Sequence, residues 1–99
     1  MKAYRAKILS FDPHASPSES ARLDDDGLLV IAPNAQGRQV VQLVGDYGLL
    51  IDDFKARHPH VAIEHLKDRI IAPGFVDTHV HYPQTDVIGS PAEGLLPWL

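Results

Sequence analysis

The sequence predicts a mainly β unit followed by one further strand that carries the chemistry. Apolar, β-branched runs of strand length recur through the first 70 residues, with Pro, Asn and Gly punctuating between them. After them, Phe75-Val76-Asp77-Thr78-His79-Val80-His81 alternates polar and apolar side chains with a period of two. A chain of 99 residues has the scale of one small domain or a piece of a larger one. Folded, it buries only about two-thirds of the surface its unfolded form exposes, so stability must come from one modest core.

The elements follow in order. Residues 3–11 mix Tyr, Ile, Leu and Phe with Lys, Arg and Ser, which suits a half-buried strand, and Asp12-Pro13 stops it. From Pro13 to Asp26 the chain is rich in Ser, Pro and Asp and reads as an exposed loop. Its acidic run Asp24-Asp25-Asp26 reads as a solvated turn before the next strand. Residues 27–32 and 38–44 are β-favouring runs joined by Pro33-Asn34-Ala35-Gln36-Gly37, a five-residue hairpin loop, so they should pair antiparallel. Gly45-Asp46 breaks the pattern, and Leu49, Leu50, Asp53, Phe54 and Arg57 fit a short amphipathic helix ending near His58-Pro59. Residues 61–66 and 69–71 then read as two strands separated by a tight Lys67-Asp68 turn. The whole is expected to be mainly antiparallel.

Composition narrows the function. The chain has 13 acidic and 9 basic residues, 6 His, no Cys and a formal charge of −4. Without cysteine there is no disulfide framework and no thiolate metal site, so a metal here must use His and carboxylate. The acidic balance and the lack of a Lys/Arg cluster argue against a nucleic-acid surface, which needs a basic stripe. No segment approaches the roughly 20 apolar residues of a membrane span. The cationic start, Met1-Lys2-Ala3-Tyr4-Arg5-Ala6-Lys7, is not followed by a signal-peptide core. A soluble, cytoplasmic protein is expected.

The alternation at Phe75–His81 would send Asp77, His79 and His81 to one face of a strand. Two imidazoles so spaced can share one Zn²⁺ or Fe²⁺ at about 2.0–2.1 Å per nitrogen. Asp77, one strand step back, is better placed to orient a ligand by a hydrogen bond than to bind the metal. His58-Pro59-His60 has the same spacing but sits at a predicted helix end beside a proline, where the rings need not converge. These two, with His14 and His65, read as surface residues.

Pro73-Gly74-Phe75-Val76-Asp77-Thr78-His79-Val80-His81 resembles the opening motif of the amidohydrolase superfamily, metal-dependent hydrolases built on a (β/α)8 barrel. Tyr82-Pro83-Gln84 and the run Leu95-Leu96-Pro97-Trp98-Leu99 resemble, within it, the guanine deaminase family. The strong match covers about residues 70–99. The resemblance implies that residues 1–70 are the N-terminal segment of a small β-sandwich domain and residues 71–99 the start of the catalytic barrel. It makes His79 and His81 the first two metal ligands, at the C-terminal end of the first barrel strand, where barrel enzymes keep their chemistry. Gln84 would hydrogen-bond the purine, its amide offering both donor and acceptor.

The family's two further His ligands, Asp ligand, Glu proton shuttle and Arg-Phe pair have no counterpart in these 99 residues. The expectation is therefore an inactive N-terminal fragment of a homo-oligomeric enzyme that converts guanine and water to xanthine and ammonia, with zinc or iron as cofactor. Tyr82, Leu95 and Trp98 read as packing residues. The alternatives are an amidohydrolase acting on another heterocycle or cyclic amide, and a small β-rich binding domain without catalysis.

Overall fold

Lys2 to Phe11 mixes charged and polar residues with Ala, Ile, Leu and Phe, and it forms the first strand of a single sheet. A computed structural model describes residues 1–79. Along the chain come β1 (Lys2–Phe11), β2 (Ala21–Pro33), β3 (Gln39–Asp46), α1 (Tyr47–Arg57) and β4 (Ile63–Ile71). They build one four-stranded sheet in the order β3-β2-β1-β4. β1 pairs antiparallel with β2, and β2 with β3, while β4 lies parallel to β1. The sheet is therefore mixed, because α1 carries the chain from one edge to the other and returns it in the direction of β1.

The hairpin loop forms as its residue types require. Asn34 Oδ1 accepts the N–H groups of Gln36 and Arg38, each at 3.0 Å, and Gly37 takes φ +76°, a left-handed conformation that costs glycine nothing. Asp46 caps α1, its Oδ1 accepting the Leu49 N–H at 3.0 Å. Lys55 and Arg57 occupy the last turn, where cations face the negative end of the helix dipole. The helix buries Phe54 against Ala3, Leu28 and Val30, with Leu43, Tyr47, Leu50, Ile51, Val61 and Ile63 around them. Burying that phenyl ring is worth roughly 1.5–3 kcal/mol relative to exposure. A second cluster, Ala6, Ile8 and Leu29 with Tyr4, Ile31, Leu66 and Ile71 packed against it, forms apart from the helix.

Two expectations are corrected here. The loop read over Pro13 to Asp26 ends at Ser20, and residues 21–26 belong to β2. The acidic run is not a solvated turn, because charge pairing with β1 lets it remain in the ladder. Asp25 and Asp26 stand against the single residue Lys7 in a bulge, with Ala6 opposite Gly27 on one side and Ile8 opposite Asp24 on the other. Lys7 Nζ meets Asp25 at 2.7 Å, and Arg5 grips both Asp26 oxygens at 2.6 and 2.7 Å while stacking 3.9 Å over the Tyr47 ring.

The second correction concerns the two strands read over 61–66 and 69–71, in place of which one strand, Ile63–Ile71, runs through the supposed turn. Leu66, Lys67, Asp68 and Arg69 lie against Ala6 alone, and the chain then resumes beside the same neighbour. Asp68, at φ 57°, absorbs that excess.

Candidate functional site

β4 ends at Ile71, and Ala72-Pro73-Gly74 leads out of the sheet into the motif. Proline removes a backbone donor, and a strand needs a neighbour to satisfy its remaining groups. Among the described residues no strand pairs with 72–79, and the chain bends at Thr78-His79. Phe75 and Val76 stand fully out, at 103% and 86% exposure. The extended run expected over Phe75 to His79 is thus not part of the sheet. Asp77 Oδ1 accepts the backbone N–H of His79 at 3.0 Å. The contact seen from Asp77 is thus to the main chain of His79. His81 and Gln84 lie outside the described residues, as do Tyr82, Leu95 and Trp98.

A zinc or ferrous ion suits donors of the type this motif carries, uncharged imidazole with carboxylate nearby. Among the described residues, no group of three or more His, Asp or Glu side chains is arranged to hold a metal ion. His79 is the one candidate ligand of the motif within them, and His81 would be the second. Two nitrogens fill half of a tetrahedral shell, so these side chains fit the first part of a site and not the whole of it.

Of the histidines read as surface residues, His14, His60 and His65 are exposed. His58 is half-buried at the helix end, its N–H bonded to the Phe54 carbonyl at 2.9 Å and its ring 5.3 Å from that of Phe54.

Two features were not foreseen in the sequence. An apolar depression of about 470 Å³ opens on the sheet, lined by Ile8, Phe11, Leu29, Val41, Val44 and Ile71, and it reaches Pro73 at the foot of the motif. The other is electrostatic. Hydrogen bonds from Arg5 hold the Asp26 carboxyl below the usual carboxylate range, and the same pairing raises the guanidinium of Arg5. Asp24 is buried, with Arg22 Nε and Nη2 both on its Oδ1 at 3.0 and 2.8 Å, while Oδ2 finds no partner among the described residues. The period of two in β2 conceals all this, since bulges decide which side chains meet.

With the sheet and motif placed, similarity to known proteins becomes informative. The chain matches no protein-family model. It is 32% identical over 101 residues to a probable guanine deaminase of Deinococcus radiodurans, covering 100% of this chain and 22% of that protein. It is 33% identical over 104 residues to the guanine deaminase of Escherichia coli, again covering 100% of this chain and 22% of the relative. The chain is a homologue of guanine deaminases. A solved structure of E. coli guanine deaminase superposes with a TM-score of 0.63 at 31% identity, over 99% of this chain and 22% of that one. The mainly β fold is therefore that of a segment of guanine deaminase, and the chain spans about a fifth of the length of these relatives, at 22%.

Proposed function

We propose that these 99 residues serve a metal-dependent aminohydrolase that removes the exocyclic amino group of guanine, giving xanthine and ammonia. The observation that carries this is the match along the whole of this chain, at 32–33% identity, to 22% of the length of two guanine deaminases. The His-x-His motif supports the same reading from chemistry. His79 and His81 would hold zinc, or iron in its place, through uncharged imidazole nitrogens. The ion would supply Lewis acidity, worth several kcal/mol at an oxygen on which charge develops. Asp77 fixes the main chain at His79 and so limits where that ring can point. Gln84 would recognise the purine through its amide, donating from nitrogen and accepting at oxygen. The parts that move protons and close the pocket have no counterpart in this sequence, so the 99 residues alone should not turn over guanine.

In this proposal residues 1–70 contribute to a small β-sandwich domain and residues 71–99 open a (β/α)8 barrel; the end of the sheet at Ile71 supports the division. The enzyme would work on a small purine in the cytoplasm, in purine catabolism, as a homo-oligomer, without a nucleic-acid or membrane partner. None of the described helices is long and apolar enough to cross a membrane. The test is ammonia release by the zinc-loaded, full-length gene product from guanine, adenine, cytosine and a triazine. Guanine should be preferred by orders of magnitude, since a site whose buried polar groups are unpaired by the wrong base rejects it strongly. Preference for any of the others would overturn the substrate while leaving the amidohydrolase chemistry standing.

A further inference from the structure

We draw no further inference here: the strongest candidate, the apolar depression on the sheet between Val41 and Val44 of β3 and Ile71 at the end of β4, carries nothing because nothing among the described residues shows what covers it, in a chain that spans 22% of the length of its relatives.

Discussion

Gly27→Ala should destabilise the chain, although replacing glycine in a strand ordinarily helps. Gly27 lies in β2 opposite Ala6, beside the Asp25-Asp26 bulge. Its φ is not in the left-handed range, so alanine meets no backbone strain, and the lower entropy of the unfolded chain should favour it by about 0.4–1 kcal/mol. Against that, a Cβ at this position would stand 2.7 Å from Ile8 Cδ1, 2.8 Å from Cγ1 and 3.1 Å from Cβ. Ile8 is 2% exposed and packed in the cluster with Ala6 and Leu29, so it has little room to retreat. Overpacking of this kind costs about 1–3 kcal/mol, and it outweighs the entropic gain over most of that range.

A net loss of about 1–2 kcal/mol corresponds to a fall in Tm of several degrees for a chain of this size. The assay is urea unfolding of Gly27→Ala, of Ile8→Ala and of the double variant. Ile8→Ala is costly by itself, but it removes Cδ1 and Cγ1, so the second substitution should add little and the two should be strongly non-additive. A Gly27→Ala chain as stable as the original, or costs that simply add, would refute the steric reasoning.

Four further outcomes are expected. Asp46→Ala removes the cap on the Leu49 N–H and should cost about 1 kcal/mol in urea unfolding, with a loss of helical circular dichroism. Because Asp26 has its pKa lowered by Arg5, the stability it contributes is present above the ordinary carboxylate range and lost as pH falls through the lowered native value. The difference in Tm between the original chain and Asp26→Asn should therefore hold from neutrality down to about pH 5 and shrink below about pH 4; a gap indifferent to acid would contradict the pairing. In the full-length gene product, His79→Ala should lower bound zinc, measured by metal analysis, together with turnover. Gln84→Ala should keep the metal and lose about 1.5–3 kcal/mol in kcat/KM if it bonds the base and leaves one buried group unsatisfied.

The strands 3–11, 27–32 and 38–44, the hairpin loop and the helix were legible in the sequence because each is a local matter. Residue types set the period, Asn34 and Gly37 set the turn, and Asp46 sets the start of α1. The His79-x-His81 motif with Asp77 before it was legible for the same reason, as a pattern of donors at fixed spacing. Tertiary structure decided that Asp24-Asp25-Asp26 continues β2, since Lys7 and Arg5, some twenty residues away, pair with Asp25 and Asp26 while Arg22 of β2 itself pairs with Asp24. It decided that Ile63–Ile71 is one parallel strand, because the path of α1 fixes direction and β1 fixes the neighbour. It also brought Val41 and Val44 to one face, against the period of two, through a bulge that no local signal marks. Local propensity and spacing act within a few residues. Register, strand direction and the pairing of charges depend on which distant segment arrives alongside.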